Sequence, residues 1–269
     1  MFSLGAVSAE LAEQLVAVET GGPDAVHQAR TRVRRLRSVL SVYRKAFDRD
    51  QTEHLRRRLK ALGGMLGDVR DLEVRATAIE DTLAADTQPD VIEAVTAMSE
   101  EVWADHERAL AGLLTSLRSR ATRKLLADLL VFAAEPPLRA PGHTRPRKIA
   151  RKGLKKAARR VRAGGESLAE HHELRKNARR LRYAADAVAD LFGRDAVRLS
   201  AAAEAVQDAL GDHRDLILLA RHLRDRSASR GLDAATASAV ERLAAECERR
   251  AEECIEGLDD RLDAVANAA

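Results

Sequence analysis

His27, Arg30, Arg34 and Arg37 stand three or four residues apart, and His172, Arg175, Arg179 and Arg182 repeat the same intervals 145 residues later. On a helix turning about 100° per residue, with His27 at zero, Arg34 falls at about −20°, Arg30 at about −60° and Arg37 at about −80°. Ala29, Val33, Leu36, Leu40, Tyr43 and Phe47 occupy the opposite side. The helix is therefore amphipathic, with a narrow arc of one histidine and three arginines facing away from its apolar stripe. Arg32 and Arg35 fall outside that arc and read as surface charges. Guanidinium groups at steps of roughly 5 Å present forked donors to closely spaced oxyanions, and phosphate oxygens fit them in pairs. Each histidine sits among arginines, whose charge disfavours imidazolium in the free protein, whereas a bound phosphate favours it. We expect both histidines to hydrogen-bond the anion.

Two further helices add cations. Over residues 147–162, Lys148, Arg151, Lys152, Lys155, Arg159 and Arg162 share an arc of about 100°, opposite Ile149, Leu154, Ala158 and Val161. The helix after Gln51 contributes Arg56, Arg57, Arg58 and Lys60, although the matching residues 199–204 of the second copy carry no cation. Of these, Arg56, Lys60, Lys152, Lys155 and Arg159 are expected to join the anion site. Residues 27–70 hold 13 Lys and Arg against 4 Asp and Glu, and residues 139–182 hold 16 against 3. The remainder has a balance of −18 within a net charge of +4. Like charges at helical spacing destabilise by a few tenths of a kcal/mol per pair, so two such blocks imply a polyanion that neutralises them.

Patterns for catalysis are absent from the sequence. There is no glycine-rich G-x4-G-K-[ST] loop, no Glu-x-x-His pair for a bundle metal site and no Cys/His cluster. Asp24 precedes His27 by three residues but reads as a helix cap. The paired acids and arginine of Gly67-Asp68-Val69-Arg70-Asp71 look catalytic, yet a structural reading is simpler. Glycine after an apolar run allows close helix approach, and Arg70 or Arg214 pairs with a nearby Asp. We expect no enzyme activity, no cofactor and no metal.

The elements that position these residues are helical. Of the 269 residues, 45% are hydrophobic, mostly Ala, Leu and Val, and one third are charged. Sustained period-two alternation is missing. Helices are predicted over residues 5–19, 24–47, 51–85, 89–118, 122–134, 147–162, 167–192, 194–227 and 232–264. Four of the six prolines fall in residues 135–146, which read as a linker. Besides the two ladders, Phe47 matches Phe192, and Leu66-Gly67-Asp68-Val69-Arg70-Asp71-Leu72 matches Leu210-Gly211-Asp212-His213-Arg214-Asp215-Leu216. The predicted architecture is all-α: two four-helix bundles arising by internal duplication and related by a pseudo-two-fold axis. Repeat one covers 1–135, the linker 136–146 and repeat two 147–269, with both ladders lining one shared groove. The acidic stretch 241–263 is placed on the outer face. Trp103 reads as core packing. No stretch approaches the ~18 to 20 apolar residues of a membrane span, and the N-terminus lacks a basic signal region. Cys247 and Cys254 lie about 10 Å apart along one helix face, too far to bridge, and read as buried thiols in a reducing cytoplasm.

The motif H-x2-R-x3-R-R-L-R followed by L-G-x2-R-D-L, present in both halves, resembles the CHAD domain, the conserved histidine α-helical domain. The resemblance covers residues 1–269 as a single CHAD domain without an attached triphosphate-tunnel domain. It implies two four-helix bundles and a basic central groove that binds inorganic polyphosphate, with association to polyphosphate granules in the cytoplasm. The matching positions are His27, Arg30, Arg34, Arg37, His172, Arg175, Arg179 and Arg182; Asn177 opposite Arg32 departs from strict symmetry. The alternative is a nucleic-acid-binding protein using the same basic helices. Only seven aromatic residues are available for base stacking and no reading module is recognisable, which argues against nucleic acid.

Overall fold

Between the glycine- and proline-bearing breaks, runs rich in Ala, Leu, Arg and Glu fold as helices. The computed structural model describes residues 4–83, 87–138, 146–161 and 167–269. In chain order the helices are α1 (Leu4–Glu19), α2 (Ala25–Val42), α3 (Arg49–Glu80), α4 (Pro89–Leu117), α5 (Arg120–Ala134) and α6 (Pro146–Val161). They continue with α7 (Leu168–Asp186), α8 (Ala189–Phe192), α9 (Arg194–Arg230), α10 (Ala234–Ile255) and α11 (Leu258–Ala268). Among the described residues the only strand-like pairing is an isolated bridge between Phe47 and Leu138. The protein is all-α.

Caps explain several boundaries. Ser167 and Glu170 form a reciprocal capping box on α7, Ser119 caps α5, and Asp233 accepts from the amides of Ala235 and Thr236 on α10. Asp24 occupies the cap position of α2 but does not cap it. Its backbone is left-handed, φ 54°, and its carboxylate accepts instead from Gln28 Nε2 at 2.8 Å. Three predicted helices are interrupted. α2 stops at Val42 rather than at residue 47, because the buried Tyr43 hydroxyl donates to the Ala184 carbonyl at 2.7 Å and Phe47 turns onto Phe132, centroids 5.4 Å apart. The stretch 167–192 divides into α7 and α8, and 232–264 divides at Gly257, whose φ of 68° is left-handed.

The chain forms two compact units. The first contains residues 1–67, 112–207 and 258–269; the second contains 68–111 and 208–257. This division does not follow the halves 1–135 and 147–269, because each half contributes to both units. The cause lies in helix length. α3, α4 and α9 have 32, 29 and 37 residues, longer than the roughly 20-residue helix that spans a small domain, so each supplies both units. Of the predicted linker, 139–145 lie outside the described residues, and the Pro137 carbonyl accepts from the Asp48 amide at 2.6 Å. Leu11, Leu36, Leu40, Leu59, Leu66, Leu113, Leu174 and Leu181 are fully buried in the first unit. In the second, Ile79, Val95, Met98, Leu223, Val240 and Cys247 form the core. Trp103 packs on the edge of that core and donates to Glu80 at 2.8 Å. Cys254, expected to be buried, is only half-buried. No helix among the described residues is long and apolar enough to cross a membrane.

Candidate anion-binding site

The two copies of the histidine–arginine motif lie on α2 and α7, which pack together within the first unit. Their apolar stripes do what the sequence pattern demands. Ala29, Val33, Leu36 and Leu40 are buried on α2, as are Leu174, Ala178, Leu181 and Ala185 on α7. Small residues let neighbouring helices close in. A Cβ at Gly153 would lie 3.1 Å from Val42 and 3.2 Å from Tyr43, so α6 sits tightly against the end of α2. On α3, a Cβ at Gly63 would come within 2.9 Å of Val33 and 3.6 Å of an Arg37 guanidinium nitrogen. One at Gly67 would lie 3.7 Å from the Arg30 guanidinium. The arginine arc is consequently half-buried along a seam of helices, where the sequence pattern alone places it facing away from the core.

Arginines of both copies share that seam. Burial pushes the Arg34 guanidinium down to about 9, and the charges of Arg179, Arg30 and Arg175 push in the same direction, opposed by the Tyr183 phenol. Arg179 is pushed down to about 10 by burial and by Arg175, Arg30 and Arg180, again opposed by Tyr183. Arg37 is lowered by burial and then by Arg56 and Arg180. These guanidiniums stay charged at neutral pH, so the folded chain holds like charges together in a partly dehydrated place. Among the described residues no carboxylate is bonded to Arg34, Arg37 or Arg179. Such an arrangement is unfavourable until an anion supplies the missing charge.

The structure thus brings Arg30, Arg34, Arg37, Arg56, Arg175 and Arg179 into one neighbourhood. His27 and His172 are half-buried at the N-terminal ends of the same helices, while the neighbouring His171 is buried. Several expected residues have a partner of their own or stand exposed. Arg182 forms a 2.6 Å ion pair with Glu204 and lies over the Tyr183 ring. Arg56 pairs with Glu53 at 2.6 Å, and Lys60 is exposed on α3. Lys152, Lys155 and Arg159 are exposed on α6, and no α6 cation is among the charges that depress Arg34, Arg37 or Arg179. Lys155 instead lines a cavity of about 740 Å³ with Arg151, Phe192, Asp195 and Arg198, and both Arg147 and Arg151 stand over the Phe192 ring. Arg162 lies outside the described residues.

The remaining charges have structural roles. Arg32 pairs with Glu10 of α1 at 3.3 Å, and Arg58 binds Asp128 and the Ala121 carbonyl of α5. Asn177, which breaks the symmetry with Arg32, donates to the Arg160 carbonyl and accepts from Arg180. Arg70 pairs with Glu73 at 2.8 Å, not with an aspartate of its motif. Sequence reasoning missed Tyr183 and Arg180. Tyr183 follows Arg179 by four residues and so shares the ladder's face, but a search for cations passes over a phenol. Among the described residues, no group of three or more His, Cys, Asp or Glu could hold a metal ion.

The family model described as CHAD domain matches residues 5–224. The chain is 28% identical over 278 residues to two uncharacterised proteins of Mycobacterium tuberculosis, MT2285 of strain CDC 1551 / Oshkosh and Rv2226 of strain ATCC 25618 / H37Rv. The alignments cover 97% of this chain and 53% of each relative, so the chain spans about half the length of the curated relatives it matches. Among solved structures, PptA from Streptomyces chartreusis superposes with a TM-score of 0.76 at 20% identity, over 97% of this chain and 96% of that one. The CHAD domain from the plant Ricinus communis gives 0.69 at 22% identity, over 95% and 89%. At these identities the likeness concerns the fold.

Proposed function

The chain belongs to the CHAD domain family, and from that premise we propose that it binds inorganic polyphosphate, as some members of the family do, through the arginines gathered between α2 and α7. One observation carries the reading: the charge of Arg179, from the second copy of the motif, joins burial in lowering Arg34 of the first, and neither side chain is bonded to a carboxylate among the described residues. A flexible chain of closely spaced phosphates supplies many negative charges to such a row at once, and each contact releases counterions. Arg30, Arg34, Arg37, Arg175 and Arg179 bind directly, and His27 and His172 donate to phosphate oxygens at the helix ends. Lys60, Lys152, Lys155 and Arg159 act as an outer field that steers the polymer. The protein acts as a non-catalytic binding module in the cytoplasm, at polyphosphate granules.

Calorimetric titration of the protein with polyphosphate tests this reading. Tight binding whose affinity falls steeply with added salt is expected, with long-chain polyphosphate displacing a DNA oligomer at far lower phosphate concentration than the reverse. Equal displacement in both directions would favour a nucleic-acid role, and polyphosphate shortened during incubation with Mg²⁺ or Mn²⁺ would show catalysis. His27→Ala with His172→Ala should weaken binding several-fold; unchanged affinity removes the histidines from the site.

A further inference from the structure

The arginine seam does not end at Arg37. α3 presents Arg49, Arg56 and Gly63 at intervals of seven residues, which turns each about 20° from the last and keeps all three within about 40° on a single face. Gly63 receives the Arg37 guanidinium, and Arg37 is in turn depressed by the charge of Arg56. Beyond Arg56 the same face opens into a cavity of about 430 Å³ at the turn between α2 and α3, lined by Arg44, Lys45, Arg49, Thr52, Glu53 and Arg56. Four of those six side chains are cationic. Arg44, Lys45 and Arg49 are exposed, so they are open to a ligand from solvent. Arg56 stands between the cavity and the seam: one guanidinium nitrogen pairs with Glu53, while its buried Nε has no hydrogen-bond partner among the described residues.

We propose that this cavity is a second phosphate subsite, joined to the Arg34–Arg179 cluster through Arg37 and Arg56, which takes the next stretch of a bound polyphosphate chain and makes affinity depend on chain length. The proposal rests on the polyphosphate reading above and adds a boundary to it. A short chain fills the seam alone. A longer chain runs past Arg56, which exchanges its Glu53 partner for phosphate oxygens, and then meets Arg49, Lys45 and Arg44. The second copy has no counterpart of Arg56, because the matching residues 199–204 lack cations.

Wild type, Lys45→Ala/Arg49→Ala and Arg34→Ala/Arg179→Ala are titrated with two ligands at about 0.15 M ionic strength, where exposed charges act over only ~8 Å. One ligand is a polyphosphate several tens of units long; the other is the shortest chain that wild type measurably binds. Both substituted cavity residues are exposed, so the fold is retained, and circular dichroism confirms it. The cavity variant should lose roughly tenfold or more in affinity for the long chain, the scale of one or two charged hydrogen bonds, and keep wild-type affinity for the short one. Equal loss at both lengths, or no loss at either, overturns the subsite. Unchanged affinity of Arg34→Ala/Arg179→Ala for both ligands, or no binding by wild type, overturns the polyphosphate reading itself and the subsite with it.

Discussion

Arg34 and Arg179 are held in the fold against their own electrostatics, and that has a measurable consequence. A guanidinium whose folded value lies below its unfolded value is disfavoured in its charged form by folding, so the unfolded state binds more protons as pH rises through the shifted value. The destabilisation is fully present at neutral pH and is relieved above about 9 to 10. Replacing Arg34 by an apolar side chain of similar length removes it. Arg34→Met should therefore stabilise the ligand-free protein by about 1–2 kcal/mol, raising Tm by several degrees, while it weakens polyphosphate binding. Thermal denaturation of both proteins at pH 7 and pH 10 checks the sign: the advantage of the variant should shrink at pH 10. A destabilised Arg34→Met protein would mean that the seam is not strained by like charge.

At the scale of the helices, glycine spacing on α3 sets how near the ladder can come. Gly63→Ala places its methyl 2.9 Å from Val33, a buried side chain without room to move, and should cost about 1–3 kcal/mol in chemical denaturation. Gly67→Ala meets only the Arg30 guanidinium at ordinary contact distance and should be neutral or stabilising by up to about 1 kcal/mol, from helix propensity. Equal effects at the two positions would contradict the close approach seen at Gly63. The amphipathic faces of α2 and α7 were legible in the sequence because helix period and residue type coincide there. The end of α2 was not, because it depends on a hydrogen bond from Tyr43 to Ala184, 141 residues away. Gly257 was legible in principle, as a glycine within a helical pattern, but only the backbone shows that it adopts the left-handed turn dividing α10 from α11. The partition into units is not readable from the recurring motifs for a related reason: they mark where sequence recurs, whereas compact units form where long helices find packing partners. Lys155 shows the same limit at the site, since its arc on α6 is correct but the surface it borders is the cavity beside Phe192.

For the whole molecule, charge is arranged by consumption as well as by placement. In the second unit Arg224 is clasped by Glu241 and Glu248, and Arg249 by Glu246 and Glu253, so part of the acidic stretch at 241–263 is neutralised internally. The seam of the first unit has the opposite character, with Arg34, Arg37 and Arg179 bonded to no carboxylate among the described residues. That contrast separates cations engaged in structure from cations available to a ligand, and it implies that binding strength is concentrated in few residues. Removing exposed cations of α6, as in Lys152→Ala/Arg159→Ala, should lower affinity by about threefold or less and chiefly soften its salt dependence. The most direct measurement is a calorimetric double-mutant cycle on Arg34→Ala and Arg179→Ala with polyphosphate. If arginines from both motif copies hold one phosphate chain, the double variant loses about a hundredfold or more in affinity, the single losses are non-additive, and helicity by circular dichroism is unchanged. Wild-type affinity in the double variant would contradict the account.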